Sequence, residues 1–286
     1  MPLQYPLIHI DDVEPEKMKT DQGWNITDFR LPISKKQGCS STMFRARFMP
    51  GAIHHKHRHE NCDEIYYVIS GHGLAGAGPD RVEVRGGHHH FIPKGTEHWL
   101  YNLSDTEPIE VVGLYDRAGS VEETGYVYMG EITEEDLAMP RATGPDQLKY
   151  PLVHIDDMRR ENVSEEDGWT QEFYQPINRE HGASSTWMYG HFKPGKIHKK
   201  HRHDNADEIC FILKGHGLAG VGPDRVEVRE GHFHYIPAGT EHWLANLSDT
   251  EPLIGPGVYI GVGGLDESGF VYIGDVTEED LKERTE

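Results

Sequence analysis

One pattern of histidine, glutamate and glycine is written twice in this chain, and both copies are complete. The first runs Gly51, His57, His59, Glu64, Gly71, then Gly87, Pro93, Gly95, His98, Asn102. The second runs Gly195, His201, His203, Glu208, Gly215, then Gly231, Pro237, Gly239, His242, Asn246. Each copy reads G-x5-H-x-H-x4-E-x6-G, followed by G-x5-P-x-G-x2-H-x3-N. A single intervening residue puts His57 and His59 on the same face of a strand. Glu64 follows after a short turn, and His98 arrives from a later strand. Three imidazoles and a carboxylate, with no thiolate, suit Fe(II), Mn(II), Ni(II), Cu(II) or Zn(II). On a metal that prefers about six ligands, four from the protein leave two positions open, as catalysis requires and a structural zinc does not. A lone His-x-His reads as accidental surface binding. Both half-motifs in order, twice, do not, and the chain is expected to hold two divalent metal ions.

The repeat extends well beyond the motifs. YPLIHIDD at Tyr5 returns as YPLVHIDD at Tyr150, and Gly23-Trp24 returns as Gly168-Trp169. GHGLAG, PDRVEVR, GTEHWL and NLSDTEP all recur, and VYMGEITEEDL returns as VYIGDVTEEDL. Between Gly51 and Glu107, 42 of 57 residues are identical in the second copy. A period of this length points to two copies of one domain. The division expected is residues 1–138, a linker over 139–148 broken by Pro140, Gly144 and Pro145, and residues 149–286. Within each half, RVEVR alternates in period two, and Phe-Ile-Pro and Tyr-Ile-Pro end strands at proline. Thr133 and Thr277 each open T-E-E-D-L, an N-cap followed by an acidic first helical turn.

These residues match both signature motifs of the cupin superfamily, and the tandem arrangement resembles a bicupin over nearly the whole chain. The resemblance implies an all-β chain of two tandem jelly-roll (double-stranded β-helix) barrels with short peripheral helices. It implies that His57, His59, Glu64 and His98 hold one metal, and that His201, His203, Glu208 and His242 hold another. It says little about the reaction, because one fold hosts many chemistries.

The bulk properties narrow the field further. A formal net charge of -20 argues against nucleic-acid or anionic-membrane partners. No apolar run approaches the roughly 20 residues of a membrane span. The opening MPLQYPLIHIDD lacks the cationic and apolar regions of a signal peptide. Three cysteines, none repeated at the equivalent position, argue against a disulfide framework. A cytoplasmic protein with a small-molecule substrate is expected, with homo-oligomerisation left open.

Other residues near the ligands are candidates for chemistry. His54 and His198 lie three residues before the first ligand of each motif and are read as catalytic, in proton transfer or substrate binding. Tyr66, two residues beyond Glu64 on the same strand face, is read as a proton or hydrogen-bond donor. Its counterpart is Cys210, so the two sites are expected to differ. Trp99 and Trp243, next to the last ligands, should point away from the metal. Oxalate decarboxylases, which are bicupins, carry an arginine where His54 and His198 stand, and this departure counts against oxalate as substrate. The ligand set resembles that of quercetin dioxygenase. The reading carried forward is an Fe(II) dioxygenase on a small organic molecule. The alternatives are a redox-neutral isomerase, lyase or decarboxylase on a sugar or keto acid using Mn(II), Ni(II) or Zn(II), and a non-enzymatic small-molecule-binding bicupin.

Overall fold

The computed structural model describes residues 3–166, 168–282 and 284–285. The chain divides into two compact units, Val13–Asp157 and Met158–Glu286, the latter completed by Met1–Asp12. Each unit is built from two antiparallel sheets. In the Val13–Asp157 unit one sheet has the order Leu152–His154, His88–Ile92, Asp63–Ser70, Ile109–Asp116, Thr42–Phe48, Asp28–Ile33. The other has the order Tyr126–Gly130, Ile53–His59, His98–Tyr101, His72–Ala77, Asp80–Arg85, with Trp24–Asn25 added beside Ile53–His59. The second unit repeats this plan. Asp207–Phe211 lies between His232–Ile236 and Leu253–Ile260, and Ile197–His203 lies between His242–Asn246 and Phe270–Gly274. Sheet neighbours are seldom sequence neighbours, so connections cross from sheet to sheet, as a jelly roll requires.

Alternation accounts for the two faces of these strands. In Ile53–His59 the ligands His57 and His59 are buried, while Lys56 and Arg58, which flank His57, are only partly buried. The first unit fills its interior with Trp24, Phe29, Phe44, Tyr66, Val68 and Tyr115. The second uses Trp169, Phe173, Met188 and Tyr259. Helix is scarce. Glu134–Ala138 is capped by Thr133, whose Oγ1 accepts from Asp136 N while Asp136 accepts from Thr133 N. Thr277 and Asp280 make the same reciprocal bonds, but the chain there forms turns and not a regular helix. Among the described residues no helix is long and apolar enough to cross a membrane.

The domain boundaries expected from the repeat need correction. The YPLIHIDD segment pairs with the other repeat: Leu7 faces His234 and His9 faces His232. YPLVHIDD does the reverse, with Leu152 opposite His90 and His154 opposite His88. Residues 1–12 therefore belong with the second barrel, and residues 149–157 with the first. Alternation marks a segment as a strand but does not say which sheet edge it will join. The exchange is well anchored. Asp224 Oδ2 accepts from the backbone nitrogens of Gln4 and Tyr5, and Asp80 Oδ2 accepts from those of Lys149 and Tyr150. Gly231 has φ +90°, and a Cβ there would lie 2.8 Å from His9 Nε2. Gly87 stands in the same relation to His154. This motif glycine serves strand docking, because any side chain would be both strained and obstructed.

Deleting residues 1–12 is expected to destabilise the second barrel selectively. Ile10 is buried and Leu7 partly so, and their loss removes on the order of 3 kcal/mol of apolar burial. Hydrogen exchange should accelerate in His232–Ile236 and stay unchanged in His88–Ile92. Equal effects on both strands would overturn the exchange.

Candidate metal centres

Five of the six ligand histidines are oriented from behind by a hydrogen bond at Nδ1. His57 Nδ1 donates to the His55 carbonyl at 2.7 Å, and His98 Nδ1 to the Thr96 carbonyl at 2.9 Å. The second barrel repeats both, from His201 to the Lys199 carbonyl at 2.7 Å and from His242 to the Thr240 carbonyl at 2.9 Å. A carbonyl only accepts, so Nδ1 carries the proton and Nε2 presents its lone pair to the interior. His203 Nδ1 lies 2.9 Å from Ser268 Oγ. Ser268 was not picked out from sequence and carries no motif signal there. The equivalent His59 Nδ1 has no hydrogen-bond partner.

The ligand atoms of His57, His59, Glu64 and His98 all lie within 4.8 Å of one another, as do those of His201, His203, Glu208 and His242. All eight residues are buried. Glu64 Oε2 is 3.1 Å from both His59 Nε2 and His98 Nε2. Glu208 Oε2 is 2.9 Å from His242 Nε2 and 3.4 Å from His203 Nε2. Adjacent ligands around an ion with bonds of about 2.1 Å stand about 3 Å apart, which these spacings match. His57 Nε2 is buried without a hydrogen-bond partner, as suits an atom reserved for a cation. The donor set and its geometry therefore fit a divalent metal in each barrel.

The electrostatics point the same way. Burial pushes His57 and His201 well below the usual imidazole range, and neighbouring imidazoles add to the effect. Both are neutral ligands at neutral pH. Burial alone would raise Glu64, but His98 and His59 hold it well below the carboxylate range. Glu208 is likewise brought down to about 2 by His242 and His203 against the opposing effect of burial. His242 is raised, because Glu208 outweighs burial. A metal in the second barrel thus competes with a proton on His242.

His54 and His198 reach the same interior through a backbone irregularity. On a regular strand, residues three apart point to opposite faces. Here the pairing shifts between His98↔His57 and Leu100↔His54, so an extra residue is accommodated and His54 turns inward. The same shift lies between His201 and His198. The His54 ring stacks on His57 at 3.7 Å and rests against Trp24 at 4.3 Å. His198 stacks on His201 at 3.8 Å and Trp169 at 4.2 Å. Burial pushes both well below the usual range, so they are neutral near pH 7. Trp24 and Trp169, visible in the sequence only as part of the repeat, close this stack. Tyr66 lies on the cavity wall, and its hydroxyl is 2.9 Å from His90 Nδ1. Cys210 Sγ instead donates to Glu208 Oε1 at 2.8 Å.

Trp99 and Trp243 are packing residues. Their indoles lie over Gly76 and Gly220, where a Cβ would come within 2.2 and 2.1 Å of the ring. The guanidinium groups of Arg81 and Arg225 cover them at 5.1 and 5.4 Å. Asn102 is fully buried, and its Nδ2 donates to the carbonyls of Phe48 and Glu107, tying the turn down.

Replacing His98 with alanine is expected to halve the metal content by emptying the first centre alone, and His242→Ala to empty the second alone. Loss of a ligand should weaken its own site by more than the roughly 10–100-fold that loss of an outer partner costs. Metal content unchanged in either variant would overturn the ligand assignment.

Known proteins bear this geometry out at the level of fold and family. A model described as the cupin domain matches residues 44–115 and again 188–254. An uncharacterized protein, MJ1618, of Methanocaldococcus jannaschii is 37% identical over 49 residues, which is 17% of this chain and 39% of that protein. Among solved structures, an arginine-to-alanine mutant of Bacillus subtilis oxalate decarboxylase superposes with a TM-score of 0.72 at 16% identity, covering 96% of this chain and 80% of that one. A formate complex of Lactobacillus farciminis oxalate decarboxylase gives a TM-score of 0.71 at 14% identity, covering 96% and 90%. With two cupin domains in tandem, each carrying a complete three-histidine, one-glutamate group, this chain belongs to the cupin superfamily as a bicupin.

Proposed function

We propose that the chain is a metal-dependent enzyme, that its second barrel is the working centre, and that its substrate is a small, largely apolar molecule bearing an oxygen donor. The composition of the cavity wall carries this reading. The second cavity is walled by residues such as Trp169, Phe173, Met188, Phe192 and Ile236 around His201, Glu208 and His242. The first is the smaller of the two. Among the described residues neither wall contains lysine or arginine. Arg47 lies half-exposed beside Glu110, and His191, in its place in the other barrel, pairs with Glu172. A carboxylate substrate would find no side-chain cation there, whereas a phenol, enol or diketone would find an apolar slot.

A divalent ion held by His201, His203, Glu208 and His242 supplies Lewis acidity toward the substrate oxygen and, as Fe(II), electrons for dioxygen. The chain's own contribution is to exclude water with the apolar wall and to hold the ligand rings in place. His198 is assigned to this second task through its stack on His201, and His54 serves the same end in the first barrel. Tyr66, engaged with His90, is assigned to hydrogen-bond a ligand entering the first cavity. Dioxygenation is the reaction class that a neutral, apolar slot supports best. A redox-neutral decarboxylation is the second reading. It draws support from likeness in fold to oxalate decarboxylases, one of them studied for its Mn(II) centers, with a TM-score of 0.71 at 17% identity. Three cysteines without a disulfide among the described residues support a reducing, cytoplasmic setting.

Metal analysis of anaerobically purified protein, followed by dioxygen uptake against phenols, diketones and keto acids, tests the assignment. Iron with substrate-dependent uptake is the expected result. Manganese with carbon dioxide release and no uptake would replace it with the second reading. His198→Gln should retain metal in the second barrel and lower turnover by roughly 10–100-fold. Full turnover in that variant would remove His198 from the mechanism.

A further inference from the structure

The two barrels place a different cross-strand pair one step along the strand from the glutamate ligand. In the first, Tyr66 lies opposite His90. Their side chains bond to each other at 2.9 Å. In the second, Cys210 lies opposite His234. The thiol turns the other way and donates to Glu208 at 2.8 Å. His234 is left without that partner. It is 5% exposed, its Nδ1 is not taken by a phenol as that of His90 is, its Nε2 is buried with no hydrogen bond as that of His90 also is, and its ring lines the second cavity. His90 does not reach the wall of the first cavity. Cys210 is two residues beyond Glu208, so the Cys210–His234 pair sits about 7 Å along the strand from the metal ligand.

A buried imidazole nitrogen with no partner at the wall of an otherwise apolar cavity calls for a polar group on the ligand. We propose that His234 is a specificity-determining hydrogen-bond anchor. It would recognise a second polar group on a substrate whose first oxygen binds the metal. The substrate class is a small apolar body with two neutral oxygen functions a few ångströms apart, such as a dihydric phenol or a hydroxy-ketone. This rests on the reading of the second barrel as the working centre. The replacement of tyrosine by cysteine leaves His234 Nδ1 without the phenol that takes His90 Nδ1; Nε2 is unpartnered in both barrels, but only in the second does the ring line the cavity.

The test uses full-length His98→Ala protein, so that only the second centre is loaded, here with Co(II) as an optical probe. Resorcinol and 3-methylphenol differ only by a hydroxyl in place of a methyl. Both are titrated against the cobalt spectrum. Resorcinol is expected to bind about five- to tenfold more tightly, the worth of one hydrogen bond. Adding His234→Phe should abolish that preference without changing cobalt content or the affinity for 3-methylphenol. His234→Gln, which keeps a donor and an acceptor, should restore part of it. Cys210→Tyr should reduce the preference by recapturing His234. Equal affinity of the two phenols for the His234-containing protein, or a preference that survives His234→Phe, overturns the anchor while leaving the working centre intact. If neither phenol perturbs the cobalt spectrum of a loaded site, the reading of that cavity as a site for oxygen donors fails, and the anchor fails with it.

Discussion

The main-chain carbonyl two residues before a ligand histidine is the contact on which both centres depend. Four of the six ligand imidazoles use it, at His55, Thr96, Lys199 and Thr240. Because the acceptor is backbone, the tautomer is set by the strand itself and needs no separate side chain to enforce it. The reactive nitrogen then faces inward wherever the strand runs. Burial completes the arrangement at His57 and His201 by keeping those imidazoles uncharged and their lone pairs available. Removing water from four polar groups would be costly in a dry barrel, and a cation satisfies all of them at once.

On that shared frame the two barrels carry different walls. The glutamate is gripped by imidazoles alone in the first, and by imidazoles and a thiol in the second. Phe270 stands in the second barrel where Tyr126 stands in the first, and both rings stack near the first ligand. Tyr126 also ties its hydroxyl to the Gln22 carbonyl at 2.5 Å, a bond a phenylalanine cannot make. The larger cavity lies on the phenylalanine side. Near-identical repeats can therefore keep two similar metal frames behind different walls.

The ligands were legible in the sequence because both half-motifs keep their spacing in each copy: His57 and His59 share one strand, and His98 lies opposite His57 on the strand paired with it. The jelly roll was legible through alternation and through resemblance to cupins. His54 and His198 were recognised as pocket candidates, but simple alternation puts them on the outer face. Only the bulge between positions 54 and 57 brings them in, and a bulge leaves no residue signature there. Trp24, Trp169 and His234 needed three-dimensional neighbours to acquire meaning. The destination of the first strand was hidden for a similar reason. Leu-Ile-His fits either sheet edge by pattern, and its docking groups, Asp224 and Gly231, lie far along the chain and have identical counterparts in Asp80 and Gly87.

That exchanged strand bears on ancestry. A cut at 139–148 would separate the repeats in sequence, yet each fragment would leave with an edge strand belonging to the other. Two chains of a single repeat, each lending its first strand to its twin, would become this molecule when joined end to end. The reciprocity survives in the paired docking contacts of His9 and His154, one for each glycine. On that account duplication acted on an interlocked pair, and fusion made the loan permanent. Joined this way, two halves can differ in their walls while each still takes an edge strand from the other's repeat.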